Sequence, residues 1–135
     1  VKPFHLPIRV YYEDTDAGGV VYYANYLKFM ERARTEWLRR LGFEQDALLD
    51  ELGVLFAVSR AEVDYLRPAR FNELLTVEST LAEVRKASLT FAQAIRREGE
   101  DAVLAKGLVR VVCVDAGRFR PTPIPAAIRE RLTTA

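Results

Sequence analysis

The sequence predicts an α+β fold, a five-stranded antiparallel sheet wrapped around one long central helix, and three observations carry that prediction. Between Tyr26 and Leu41 the apolar residues Tyr26, Leu27, Phe29, Met30, Ala33, Trp37, Leu38 and Leu41 recur at intervals of three and four, the spacing of a wide buried helical stripe. After Gly53 the periodicity changes to the alternation of strands and keeps it as far as Asp115. The order is a short strand, a loop, the long helix, a short helix and then four long strands, which reads as one antiparallel sheet. One amphipathic helix cannot cover both faces of such a sheet. The sheet must curl around the helix and offer its other face or an edge to another subunit.

Ile8 to Tyr12 is rich in branched and aromatic residues and reads as the first strand. Glu13-Asp14-Thr15-Asp16-Ala17-Gly18-Gly19 is an acidic loop. The long helix starts either at a cap on Asn25 or a few residues earlier, Glu31, Arg32, Arg34, Glu36, Arg39 and Arg40 fall mostly on its polar side, and Gly42 is its left-handed stop. A second helix runs from Glu44 or Gln45 to Leu52 and ends at Gly53. The strands are Val54 to Leu66, closed by Arg67-Pro68-Ala69-Arg70, then Glu73 to Val84, Ala87 to Arg97 and Val103 to Asp115. Leu75, Val77 and Leu81 share one face of their strand, as do Leu89, Phe91 and Ile95 of the next, and Glu98-Gly99-Glu100-Asp101 is a hairpin turn. Ala126 to Leu132 adds a last helical turn after the Pro-rich stretch 121–125.

The 135 residues suit a single domain spanning 1–135, with no internal repeat or linker. Half are hydrophobic and 29% are charged, enough to bury a core. Lys plus Arg is 20 against 19 for Asp plus Glu, a net charge of +1, which excludes a strongly basic nucleic-acid binder. No stretch approaches the roughly 20 apolar residues of a membrane helix, and the first residues lack the apolar core of a secretion signal. A single cysteine, Cys113, forms no internal disulfide and agrees with a cytoplasmic setting. A single histidine, His5, leaves no protomer able to build a multi-histidine zinc site or a histidine-based nucleophile, so no metal is expected. Any catalytic acid, base or nucleophile is then a carboxylate, a Tyr or a Lys.

Two constellations carry chemistry. In the acidic loop, carboxylates and two glycines stand directly before a helix whose first N–H groups are unpaired and partly positive. Such groups hold an oxygen that becomes negative during acyl transfer, and a carboxylate beside them can attack a carbonyl or deprotonate water. Gly18 and Gly19 let the backbone come close to a ligand. The competing reading is that Asp14 and Asp16 only cap turns. Calcium fails, because the twelfth loop position is Asn25 and not a bidentate Glu. The second constellation is Arg85-Lys86-Ala87-Ser88 with Arg118 and Arg120, able to hold phosphates, against the reading of a solvated basic turn. Trp37 and Cys113 read as core, Glu31 as paired within its helix, and Glu62 and Asp64 as one strand face able to pair with Arg from a neighbouring strand.

The run Arg9-Val10-Tyr11-Tyr12-Glu13-Asp14-Thr15-Asp16-Ala17-Gly18-Gly19-Val20-Val21-Tyr22-Tyr23-Ala24-Asn25-Tyr26 resembles the hotdog-fold thioesterases. The resemblance is to the YbgC type, acyl-CoA thioesterases associated with the Tol-Pal cluster, within the broader 4-hydroxybenzoyl-CoA thioesterase-like family. Glu31-Arg32-Ala33-Arg34-Thr35-Glu36, Pro68-Ala69-Arg70 and Val111-Val112-Cys113-Val114-Asp115 extend it over nearly the whole chain. It implies the hotdog fold and hydrolysis of an acyl-CoA thioester to a carboxylic acid and free CoA, with no cofactor beyond the CoA of the substrate. It maps the catalytic carboxylate onto Asp16 and the carbonyl-polarising amide onto the helix start near Tyr23, with Gly18, Gly19 and Val20 lining the substrate. The phosphate-binding positions map onto Arg85 and Lys86, with Ser88, Arg118 and Arg120 beside them. Close YbgC-type relatives carry His where this chain has Tyr23, and the benzoyl-CoA relatives carry Tyr. The resemblance further implies a homodimer or homotetramer and admits an acyl carrier protein as donor. The competing class is a non-hydrolytic hotdog protein that binds acyl-CoA or acyl carriers, since one scaffold hosts several functions. Hotdog dehydratases need a His beside the acid and are disfavoured.

Overall fold

A computed structural model describes residues 2–134. Its elements are β1 (Phe4–Arg9), a 3₁₀ turn (Tyr12–Asp14), α1 (Tyr23–Arg40), α2 (Gln45–Leu52), β2 (Val54–Tyr65), β3 (Leu74–Val84), β4 (Ser88–Arg97), β5 (Val103–Asp115), β6 (Arg120–Pro121) and α3 (Ala126–Thr134). All strands pair antiparallel in the order β1-β3-β4-β5-β2, with β6 a two-residue addition to β5. The expected short strand and four long ones are therefore present, and β6 is a sixth that the sequence did not announce.

The first strand lies earlier than Ile8 to Tyr12. It spans Phe4–Arg9, and Tyr12 enters the 3₁₀ turn instead. Pro7 lies within it, which is tolerated because β1 is an edge. The other edge is β2, twice as long at 12 residues and free of proline. Its pairing to β5 slips once, between Val58 and Arg60, and Val58 is 55% exposed.

The sheet closes over α1 with one apolar face. Tyr26, Phe29, Met30, Ala33, Trp37 and Leu38 are buried against Leu75, Val77, Leu89, Phe91, Ile95, Val109 and Cys113. Phe4 stacks on Trp37, centroids 6.0 Å apart. Burial of each large side chain contributes about 1.5–3 kcal/mol. Leu27, expected in the stripe, is 38% exposed. Arg34, expected on the polar side, is buried. Its Nη1 donates to Gln93 Oε1 (3.0 Å), while Gln93 Nε2 donates to Met30 O and to Ser79 Oγ (both 2.9 Å). This polar pin fixes the helix against mid-sheet, and burial pushes the Arg34 guanidinium pKa down. Gly107 faces Gln93 across the β4–β5 ladder. A Cβ there would lie 2.9 Å from Glu62 O and 3.2 Å from Met30 Cε, so only glycine admits the helix this close.

Gly42, with φ 99°, follows the α1 terminus and Gly53, with φ 65°, ends α2, both as expected. Of the two expected helix starts the structure has the earlier one, so Asn25 is not the cap of α1. The residue before the helix is Tyr22, which makes no side-chain capping bond, and Asn25 is the third helical residue.

Candidate active site at the start of the long helix

The acidic loop folds into a miniature hairpin leading into α1. Thr15 and Val21 form an antiparallel bridge, Asp16 N–H donates to Val20 O (2.9 Å), and Gly19 N–H donates to Asp16 O (3.0 Å). Gly19 has φ 78°, a conformation that side-chain-bearing residues avoid. Asp16 sits at the exposed tip, where its Oδ1 accepts the Gly18 N–H (2.8 Å). A Cβ on Gly18 would stand 3.2 Å from that same oxygen, so glycine is what lets the carboxylate fold over the turn.

Asp14, two residues earlier, has a different environment. It is buried, and its Oδ2 accepts the Tyr11 N–H (2.8 Å). Its backbone carbonyl accepts the Tyr22 N–H (2.9 Å) and the Asn25 side-chain amide (2.9 Å), tying the hairpin to the first turn of α1. Both carboxylates thus make the expected turn-capping bonds, Asp14 to Tyr11 N–H and Asp16 to Gly18 N–H, and they differ in that Asp14 is buried while Asp16 is exposed.

Tyr22 N–H is consumed by Asp14 O and Asn25 N–H by Tyr22 O (2.8 Å). The N–H groups of Tyr23 and Ala24 have no protein acceptor among the described residues. They form the positive mouth of an 18-residue helix. Beside it lies a hollow of about 240 Å³ lined by Val21, Tyr23, Tyr26, Tyr65, Leu66, Arg67 and Pro68. Tyr65 meets Tyr23 edge-on (6.0 Å) and tilts against Tyr26 (5.5 Å). Burial raises the phenol pKa of Tyr26 and, to a smaller extent of enclosure, that of Tyr65, and Tyr26 Oη accepts the Ala69 N–H (3.0 Å). The segment 66–70 straps this corner, since Val21 N–H donates to Ala69 O (2.8 Å) and Val20 bridges to Arg70.

Asp16, Gly18, Gly19 and Val20 lie on the hairpin that leads into α1, whereas of the expected site residues only Tyr23 lines the hollow at the helix start. The basic residues lie elsewhere. Arg85 and Lys86 join β3 to β4, Ser88 begins β4, Arg118 precedes β6 and Arg120 begins it, all at the sheet end where Val54 faces Asp115. The helix mouth is at the other end, where Tyr65 meets Tyr23. Nine residue steps of β4 separate Ser88 from Arg97, so the ends are about 30 Å apart within one chain. Arg85 pairs with Glu83 (2.7 Å), whereas Lys86, Arg118 and Arg120 have no ion-pair partner among the described residues. Arg129 of α3 donates to the carbonyls of Arg85 (2.6 Å) and Lys86 (2.9 Å) and adds a charge there.

The sequence reading missed Tyr65, Arg67 and Asn25. Tyr65 reaches Tyr23 only because β2 runs antiparallel to α1, and no local spacing signals that. Glu31 is paired within its helix, accepting from Thr35 Oγ1 (2.5 Å). Glu62 and Asp64 share the outer face, but Glu62 pairs with Arg60 of its own strand, not with a neighbouring one. His5 lies exposed on that outer face with Glu78 (3.1 Å), across the sheet from the helix. No cluster of three or more His, Cys, Asp or Glu able to hold a metal occurs among the described residues. No helix there is long and apolar enough to cross a membrane.

Residues 10–132 match the family model of the thioesterase-like superfamily. The acyl-CoA thioesterase YbgC of Haemophilus influenzae is 47% identical over 126 residues, covering 93% of this chain and 91% of the relative. The acyl-CoA thioester hydrolase YbgC of Escherichia coli O6:H1 is 46% identical over 125 residues, covering 93% and 92%. Among solved structures, a 1,4-dihydroxy-2-naphthoyl-CoA thioesterase from Synechocystis superposes with a TM-score of 0.92 at 21% identity, covering 98% of this chain and 97% of the other. A hypothetical protein from Aquifex aeolicus superposes at 0.88 with 29% identity, covering 96% and 98%. With its curled antiparallel sheet and central helix, the chain belongs to the thioesterase-like superfamily as a hotdog-fold protein of the YbgC type.

Proposed function

We propose that this chain hydrolyses acyl-CoA thioesters at the mouth of α1, with Asp16 as the reacting carboxylate. The enzyme class, acyl-CoA thioesterase, rests on the relatives of 46–47% identity. The assignment of Asp16 rests on one observation: an exposed carboxylate at the tip of a hairpin that is bonded directly to the helix turn whose Tyr23 and Ala24 N–H groups are free. The thioester carbonyl oxygen accepts from those amides, which stabilise the negative charge that grows as the carbonyl becomes tetrahedral. Asp16 then either attacks the carbonyl carbon, expelling the CoA thiolate to leave a mixed anhydride that water cleaves to the acid and free Asp16, or takes a proton from a water that attacks the carbonyl and expels the thiolate directly. A thiolate leaves readily, so the mechanism needs no histidine. Gly18, Gly19 and Val20 bring backbone to the substrate, and Tyr23 contributes its amide and one aromatic wall.

The phosphate role of Arg85, Lys86, Ser88, Arg118 and Arg120 requires a second copy. The β2 edge is long, unpaired and carries exposed Val58, whereas the β1 edge is short and holds Pro7. Two β2 edges paired antiparallel about a twofold axis bring the basic end of one chain beside the helix mouth of the other. The proposal is thus a homodimer, itself able to pair into a tetramer, acting in the cytoplasm on CoA or carrier-protein thioesters. The test is an acyl-CoA panel read by free-thiol release. Hydrolysis of at least one member supports the reading; CoA binding without hydrolysis across the panel would replace it with a non-hydrolytic carrier.

A further inference from the structure

We infer that Asn25 is a positioning residue for this reaction, an inference that rests on the thioesterase reading above. Asn25 is 9% exposed and lies in the first turn of α1, but its side chain bonds to nothing in that turn. Its amide reaches back to the carbonyl of Asp14, and the same carbonyl accepts the Tyr22 N–H. Two consequences follow. The hairpin carrying Asp16 is held to the helix through an oxygen only two residues from Asp16. Tyr22, the residue before the helix, has its N–H drawn to that oxygen, so the open amides are those of Tyr23 and Ala24.

Asn25 is a grip and not a foundation. Without it, Asp14 O keeps the Tyr22 N–H, and the Thr15–Val21 bridge and the Val21-to-Ala69 bond still hold the hairpin in place. What is lost is the second bond that prevents the hairpin from pivoting about the first. A reacting carboxylate displaced by about 1 Å from its electrophile loses up to about a hundredfold in rate.

The experiment compares Asn25→Ala, which removes the donor, with Asn25→Asp, which keeps the shape but sets an acceptor against the Asp14 carbonyl. For each, kcat and KM on an acyl-CoA hydrolysed by the unmodified chain are measured together with amide hydrogen exchange. The expected result is a kcat lower by about 10- to 100-fold with KM within about threefold, and a deeper loss in Asn25→Asp. Exchange at Tyr22, Asp16 and Gly19 rises about tenfold or more, while core amides such as those of Ile95 and Val109 keep their protection. Unchanged kcat in Asn25→Ala, unchanged exchange at Tyr22, or failure of both variants to fold would overturn the inference, the last by making Asn25 a structural residue. If the unmodified chain hydrolyses no thioester, the functional reading fails by itself, and the exchange data alone decide whether Asn25 holds the hairpin.

Discussion

The two ends of the sheet differ in how they are built. At the helix mouth, residues 11–26 bond to one another and to a strap at 66–70, leaving the Tyr23 and Ala24 N–H groups open. At the opposite end, Lys86, Arg118 and Arg120 lie in or next to turns with no ion-pair partner among the described residues. The first end is organised for geometry, the second for charge. A reaction at a carbonyl needs donors placed to within a fraction of an ångström, while a polyphosphate needs only accumulated positive potential. The two ends thus suit the two ends of an acyl-CoA, although about 30 Å separates them in one chain.

Substitutions can break this contrast. The largest effect belongs to Asp16→Asn, expected to cut kcat by about 10²–10⁴-fold with the thermal unfolding midpoint unchanged, as seen by thiol release and calorimetry. Gly18→Ala comes next, since its methyl would press on the Asp16 carboxylate at 3.2 Å. A kcat loss of about tenfold at unaltered stability is expected, and an unaltered kcat would show that the Asp16 rotamer does not matter. Arg85→Ala with Lys86→Ala should raise KM for acyl-CoA about tenfold while leaving a short pantetheine thioester unaffected. Equal losses on both substrates would remove phosphate binding from this end. Asp14→Ala should lower stability by about 1–2 kcal/mol through the orphaned Tyr11 N–H, measured by urea unfolding, with a smaller effect on kcat than Asp16→Asn. Reversed phenotypes for the two aspartates would mean that the wrong carboxylate had been chosen.

Much of the fold was legible because β3, β4 and β5 each bury one face, so their alternation is written residue by residue, as at Leu89, Phe91 and Ile95. The first strand was not, because Tyr11 and Tyr12 have strand-like composition but stand 60% and 80% exposed at the loop, while Pro7 disguises the true strand. Arg34 defeated the polar-face reading because its partner, Gln93, is 59 residues away. The stretch around Asp16 was readable as an acidic, glycine-containing loop because its residues are contiguous, but its hairpin pairing was not. Asn25 and Tyr65 were not, since the first reaches back 11 residues to a carbonyl and the second arrives by topology. Sequence spacing reports contacts within an element. Contacts made when elements cross leave no period.

The sharpest test of a site assembled from the helix mouth of one chain and the basic end of another is to co-express two defective chains. One carries Asp16→Asn, the other Arg85→Ala with Lys86→Ala, and turnover is measured at low acyl-CoA concentration. In a mixed dimer, one site would join the intact Asp16 of the second chain to the intact basic residues of the first. Random pairing then restores about a quarter of the unmodified activity. Activity no greater than the mean of the two parents would contradict the account and confine each site to a single chain.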